Sequence, residues 1–425
     1  MSRAGNSRLW HPYADMQAVG QSGELVLTRG EGSYVVDESG RRYLDLSASL
    51  WYCLVGHGRA ELAQAAADQM VQLETYSTFS DISNVPAEEL AARVSELAPM
   101  DKAVVFFTSG GSDSIETALK MVKRYWQAMG EPERTVQIAR TGAYHGMHMG
   151  GTGLVGIPAM RQGHTDLGSD VRHVQWDSLD AIENAIDELG PSRIAAIFVE
   201  PIIGVGGVLA PPTGYLAGVQ EICRRTGALL VVDEVVTGFG RVGEWFASTR
   251  FEIEPDLIVC AKGLTSGYLP LGAVIAGNRV SAPFYDGTVG PWRHGYTYSG
   301  HATACAVALA NLDILDRENL LAASRQLEVA LAERLSPFAD HALVSEVRAG
   351  VGAMASISLT PDALEKTPTL PAQFSATLRE HGALTRTLVG GEIQISPPLI
   401  WTTTELDWMQ NSIELTLDTL TRRGL

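Results

Sequence analysis

Charged residues close three apolar runs of the chain. Glu200 ends RIAAIFVE, the pair Asp233 and Glu234 falls in ALLVVDEV, and Lys262 ends DLIVCAK. They follow one another at intervals of about thirty residues, the spacing of strand–helix–strand units. Continuous Val, Ile and Leu runs at that spacing predict buried parallel strands. Side chains just past such strands stand at the carboxyl edge of the sheet, where open α/β folds bind ligands. An acid in that place needs a cation opposite it, either a metal or a protonated ring nitrogen. A lysine there is either a solvated flank or, in a pocket, an amine tuned to form a Schiff base with a carbonyl.

A further signal is SGGSDSIETALKMVKRYW, beginning at Ser109 directly after the apolar run AVVFFT. Two glycines and then a helix start expose backbone N–H groups, which suit a phosphate. The alternative is a plain helix cap by Ser112 with Glu116 and no ligand. Neither a Walker A loop nor GxGxxG is present. A phosphate cradle, an acid and a lysine at strand ends of one sheet suggest pyridoxal phosphate (PLP). Its phosphate, pyridine nitrogen and aldehyde each find a partner there.

Other segments must position these groups. The apolar runs 103–108, 193–200, 228–235, 256–262 and 271–277 read as the strands of an α/β domain. The opening, GELVLTRG and GSYVVDESGRRYLDL, reads as short strands with a hairpin turn from Asp37 to Gly40. Helices are expected over ELAQAAADQM from Glu61, over PAEELAARVSEL from Pro86, and in the tail TELDWMQNSIELTLDTL. Past about residue 325 helices give way to strands around VRAGVGAMASISL and EIQISPPLI. The expected division is a large domain of residues 60–325 and a small α+β domain of residues 1–59 with 326–425.

Composition narrows the partners. Of 425 residues, 32 are Lys or Arg and 49 Asp or Glu, a net charge of −17 that repels phosphate backbones and anionic lipid. No nucleic acid and no membrane are therefore expected. Cys53, Cys223, Cys260 and Cys305 are scattered, forming no disulfide framework or zinc site, and read as buried small hydrophobes. The opening MSRAGNSRLWHPY has no apolar signal region, so the expected location is the cytoplasm.

The motif VVDEVVTGFGRVG followed by CAKGLTSGYLPLGAVIAG resembles the cofactor signature of the class III aminotransferases, a fold-type I group of PLP enzymes. FFTSGGSDSIETALK, AYHGMHMGGTGLVG, FVEPIIGVGGV and HGYTYSGHATACA agree in the family's order. SLWYCLVGHGRAEL and LTRTLVGGEIQISPPLI are similar to ω-transaminases of the β-alanine or amine:pyruvate type. The resemblance runs from about Trp10 to the C-terminus. It implies an α/β fold with a mostly parallel central sheet, and PLP that cycles through pyridoxamine phosphate. It also implies an amine donor, a keto-acid acceptor such as pyruvate, and a homodimer with shared active sites.

Carried over position by position, Lys262 is the Schiff-base lysine and proton shuttle, and Asp233 holds the pyridine nitrogen protonated. Val235 and Tyr144 would cover the two ring faces, while Gly111 and Ser112 would bind phosphate. Thr297 would reach the phosphate of the neighbouring subunit, and Glu200 would lie near the cofactor. Trp51 matches a pocket tryptophan, and Arg386 an arginine that pairs with substrate carboxylate and swings away for uncharged groups. The chain departs from the family where Asp113 replaces a glutamate and Gly110 a serine, leaving the hydrogen bonds around the phosphate open.

Of the remaining residues, His145 reads as packing behind Tyr144, and His57, His294 and His301 as turn residues. No metal-ligand spacing appears, and Trp292 is placed to line a partner's pocket. Competing readings are 7,8-diaminopelargonate synthesis from S-adenosylmethionine, suggested by LWHPYADM, and a 2-oxoglutarate-dependent ω-amino acid transaminase. A PLP aminomutase and a non-catalytic cofactor-binding module belong to other classes.

Overall fold

The computed structural model describes residues 8–168 and 170–424. The first seven residues of the opening stretch, and Leu425 at the far end of the 326–425 segment, lie outside the described residues. In chain order the strands are β1 (Leu27–Glu31), β2 (Tyr34–Asp37), β3 (Arg42–Asp45), β4 (Val104–Thr108) and β5 (Val136–Arg140). They continue as β6 (Asp170–Val174), β7 (Ile194–Val199), β8 (Leu229–Asp233), β9 (Leu257–Cys260) and β10 (Gly272–Ala276). The last are β11 (Val344–Arg348), β12 (Ala355–Leu359), β13 (Ala383–Leu384) and β14 (Ile393–Ile395).

The central sheet has seven strands in the order β4-β10-β9-β8-β7-β5-β6. Pairs β5–β6, β5–β7, β7–β8 and β8–β9 are parallel. LGAVIAG, read as a further strand of the α/β domain, is β10, and it runs antiparallel to both β9 and β4. The reason is the connection: between β9 and β10 the chain makes only a 3₁₀ turn, Lys262–Leu264, where a parallel crossover needs a helix. Strands β5 and β6 escaped the sequence reading because Gln137, Arg140, Arg172 and His173 interrupt their apolar pattern.

Strand alternation covers both faces of this sheet. Phe198 and Val231 face the helix Gly111–Ala128, burying Ile115, Leu119, Val122 and Trp126 in one cluster. Ile197, Val199, Leu230 and Val232 face the helices Leu179–Leu189 and Tyr215–Thr226 through Ile182, Ile186, Val219 and Ile222. Each such side chain contributes about 1.5–3 kcal/mol on burial. The Trp126 indole also donates to the Ala195 carbonyl at 2.8 Å, pinning the helix Gly111–Ala128 to β7.

The chain ends meet away from this sheet. The antiparallel β1–β2–β3 meander turns at Asp37–Gly40, where Asp37 Oδ1 accepts from Ser39 and Arg41 amides, and β13 adds parallel to β3. Strands β11, β12 and β14 form a separate antiparallel sheet. The last helix, Thr403–Arg422, opens with a capping box of Thr402 and Glu405, and the Tyr34 hydroxyl donates to Glu405 at 2.8 Å. All four cysteines are buried and unbridged. Among the described residues no helix is long and apolar enough to cross a membrane.

Candidate active site

The end of β8 separates two adjacent acids by the period of the strand. Glu234 is wholly buried and turns toward residues 237–248. It accepts from the Ala247 and Ser248 amides at 2.9 and 2.7 Å, from the Ser248 hydroxyl at 2.8 Å, and from Thr237. Asp233 turns the other way, its Oδ1 accepting from the Val235 amide at 3.0 Å and its Oδ2 lying 2.9 Å from His145 Nδ1. Among the described residues no lysine or arginine nitrogen lies within ion-pair distance of Asp233.

Lys262 stands just beyond β9 with φ 42, a left-handed conformation that costs a non-glycine residue energy. Burial pulls its amine down from 10.5 to about 8, against the attraction of Asp233 and Glu200 and with the repulsion of Arg386 and Arg241. Glu200, just past β7, receives the Tyr144 amide at 2.9 Å and the Gly204 amide at 3.0 Å, and burial raises its carboxyl. It therefore fixes the backbone that carries Tyr144. The Tyr144 phenol is pushed up by burial and lies 3.5 Å from the Tyr13 hydroxyl.

At the helix Gly111–Ala128, Gly110 is the N-cap in extended backbone and no side chain caps the end. Ser112 does not act as a cap: its hydroxyl accepts from the Met147 amide at 3.2 Å. A Cβ on Gly111 would stand 3.0 Å from Val235 Cγ1, and one on Gly146 (φ 80) would stand 2.7 Å from Ser112 Oγ. Helix start, Val235 and the 144–147 loop thus converge at a point where only backbone fits. Asp113, the shorter replacement, accepts from the Ser109 amide at 3.1 Å and meets His148 Nε2 at 2.6 Å. Glu116 accepts from the Gly150 amide at 3.1 Å, so the loop is strapped over the first helical turns.

These groups fit PLP: an amine poised near neutrality, a buried carboxylate with His145 but, among the described residues, no lysine or arginine in contact, and a helix N-terminus without a cap. The family model for aminotransferase class-III matches residues 16–417. This chain belongs to the class III aminotransferases. It is 37% identical over 419 residues to a putrescine–pyruvate aminotransferase of Pseudomonas aeruginosa, covering 93% of this chain and 91% of that protein. A diaminobutyrate–2-oxoglutarate transaminase of Halomonas elongata is 36% identical over 441 residues, covering 96% and 94%. Among solved structures, an amine transaminase from an uncultivated Pseudomonas species in its PLP-bound form superposes with a TM-score of 0.93 at 36% identity. That match covers 98% of this chain and all of the other. The fold is that of the fold-type I PLP transferases, and the protein is a PLP-dependent transaminase.

In this aminotransferase Arg386 joins the group: it is partly buried, its Nε donates to Gln394 Oε1 at 2.7 Å, and its charge is felt by Lys262 and Tyr144. Burial lowers the guanidinium, offset by Tyr144 and Tyr13. Trp51 is wholly buried with Ile202, Val208, Val236 and Leu388, and its indole nitrogen has no partner among the described residues. Thr297 is not brought in: it is exposed on the loop before the helix Ala302–Arg317, and no hydrogen bond ties it to the other residues within the chain. Trp292 packs in its own chain against Phe106, Phe284 and His294.

Two residues of the aminotransferase's site went unread in the sequence. His145, expected only to pack behind Tyr144, hydrogen-bonds Asp233. Its position in AYHG, next to Tyr144, was the available signal. Arg241 of the GFGRVG segment is fully buried, donating to the carbonyls of Ala353 (2.9 Å), Pro397 (2.7 Å) and Trp51 (3.3 Å), and burial lowers it to about 10. It links Trp51 to the C-terminal strands. Among the described residues no cluster of three or more His, Cys, Asp or Glu is arranged to hold a metal.

Proposed function

We propose that this aminotransferase moves an amino group from a primary amine or an ω- or β-amino acid to a keto acid, with pyruvate as acceptor, in two half-reactions. The observation that carries the reading is the convergence of Lys262, Asp233 and Arg386, with the lysine amine held at about 8. Bound there, PLP supplies an electron sink for the charge left when a proton leaves the donor carbon.

The remaining chemistry belongs to the chain. Lys262 would hold the cofactor through its amine and, with that amine free, would take the proton from the donor carbon and give it back. Asp233, oriented by His145 and the Val235 amide, would face the ring nitrogen and keep it protonated. Val235 and Tyr144 would close the two ring faces, while Gly111, Ser112 and the helix start would hold the phosphate. Glu200 acts through the Tyr144 backbone. Trp51 and Arg386 shape the substrate side, the guanidinium gripping a carboxylate bidentately and moving aside for an uncharged substituent. Residues 60–325 would carry the cofactor, and residues 1–59 with 326–425 would close over it.

A homodimer completes the site in this reading, Thr297 reaching the phosphate of the second copy. Support comes from the exposure of Tyr76, Phe79, Ile82, Val85, Tyr285 and Tyr298, an apolar surface on the same side as that loop's contacts with Thr78 and Asn84.

The test is the visible absorbance of the PLP-loaded enzyme against β-alanine, an arylalkylamine, a diamine and S-adenosylmethionine, followed by pyruvate or 2-oxoglutarate. Bleaching by an amine and recovery with pyruvate is the expected result. Recovery with 2-oxoglutarate alone would replace the acceptor, and a response only to S-adenosylmethionine would replace the donor class. Lys262→Ala should lower turnover by more than about 10⁴-fold; near-normal turnover in that variant overturns the reading.

A further inference from the structure

We propose that His57 is a positioning residue for donor selectivity: its imidazole ties both flanks of the strained turn that carries Trp51. This rests on the reading of Trp51 as a substrate-side residue. The turn is unusual in its backbone. Ala48, Ser49 and Trp51 have φ of 43, 57 and 71, all left-handed and none a glycine, and Ser49 and Leu50 interrupt helical geometry within Ala48–Trp51. Such a run persists only where the surroundings over-determine it.

Those surroundings centre on one imidazole. Before the turn, Asp45 Oδ1 accepts from the Ser47 amide at 3.0 Å and hydroxyl at 3.1 Å. Its Oδ2 accepts from the Ser49 amide at 2.8 Å and from His57 Nε2 at 2.9 Å. Beyond the turn, Cys53 Sγ lies 3.5 Å from His57 Nδ1. Burial pushes the Cys53 thiol up, so it keeps its proton and donates to Nδ1, while Nε2 carries the proton that faces Asp45. The chain thiol–imidazole–carboxylate therefore runs from one flank of the turn to the other with every donor matched.

His57 has little room to move. Its backbone exchanges hydrogen bonds with Gly32 at 2.9 and 2.7 Å. Its Cβ lies where Gly30 has none to oppose it, since a Cβ on Gly30 would stand 2.7 Å away. From the opposite side Arg241 donates to the Trp51 carbonyl at 3.3 Å. Anchors at residues 47, 49, 51 and 53 thus set where the indole stands. Small displacements of such a wall change how large and small donors compare.

The experiment is steady-state kinetics of the PLP-loaded enzyme with a short straight-chain amine and a branched arylalkylamine, for Trp51→Ala, His57→Ala, His57→Gln and Cys53→Ala. Trp51→Ala should shift the ratio of kcat/KM between the two donors toward the bulky one by about tenfold. His57→Ala should shift it the same way by at least about threefold, through KM, with the cofactor's visible band at the wild-type position. His57→Gln, whose amide still donates to Asp45, should recover most of the wild-type ratio. If Trp51→Ala moves the ratio and both His57 variants leave it unchanged, the proposal fails and the pocket reading stands. If Trp51→Ala leaves it unchanged, the pocket reading fails and the proposal with it. Should His57→Ala not fold, Cys53→Ala, which releases one flank alone, decides by the same ratio.

Discussion

His145 Nδ1 lies 2.9 Å from Asp233 Oδ2 with both side chains buried, and the imidazole stands edge-on to Phe198 of β7 at a centroid distance of 6.2 Å. A carboxylate at the end of a buried strand is thereby held by a ring that cannot rotate. Its other oxygen is held by the Val235 amide, so the Asp233 carboxylate is presented in one orientation. A hydrogen bond to a charged group is worth about 1.5–3 kcal/mol, or about 10- to 100-fold in a rate or binding constant. His145→Ala is expected to lower kcat and weaken PLP retention within that range. Cofactor release on dialysis, followed by absorbance, checks it.

Arg386 offers a carboxylate-specific prediction. Arg386→Ala should raise KM for pyruvate, or for any donor bearing a carboxylate, by about 10- to 100-fold. A plain alkylamine donor should keep its KM. Equal losses for both donor classes would remove the arginine from the substrate side.

The lysine predicts a pH dependence of the apoenzyme. Folded, its amine titrates at about 8, while the unfolded chain keeps the ordinary 10.5. Between these values the unfolded state binds the extra proton, so stability rises with pH across that window and the full penalty applies below about 8. With the partial exposure of the side chain discounted, the change amounts to about 2 kcal/mol. Lys262→Met should flatten that slope and raise the apoenzyme's Tm at neutral pH, which denaturation at a series of pH values would show.

Glu234 predicts a loss of stability rather than of chemistry. Glu234→Ala leaves the Ala247 and Ser248 amides without their buried acceptor, at a cost of about 3 kcal/mol. Glu234→Gln, which keeps one acceptor oxygen, should lose less. Thermal unfolding of both variants decides it.

Much of this site was legible because its chemistry is written in short range. Glu200, Asp233 and Lys262 each sit at or just past the end of a continuous apolar run, and those runs, buried on both faces, lie side by side as β7, β8 and β9. The same reasoning left the direction of β10 open, because an apolar run does not state it. The absence of a crossover helix after Lys262 states it instead. Strands β5 and β6 stayed hidden where buried Gln137 and Arg140 and the polar residues of an edge strand broke the pattern.

The sequence by itself determined the reaction class and the candidate residues for the cofactor, since motif order, glycine placement and charge at strand ends are local properties of the chain. Tertiary structure alone decided which of two neighbouring acids faces the site. It made His145 the partner of Asp233, matched Asp113 with His148, and gathered Asp45, Cys53 and His57 around the Trp51 turn. Apart from Cys53 and His57, those pairs join residues of different segments. Each hydrogen bond depends on side-chain direction and on a separation of about 3 Å, which only the packed chain sets.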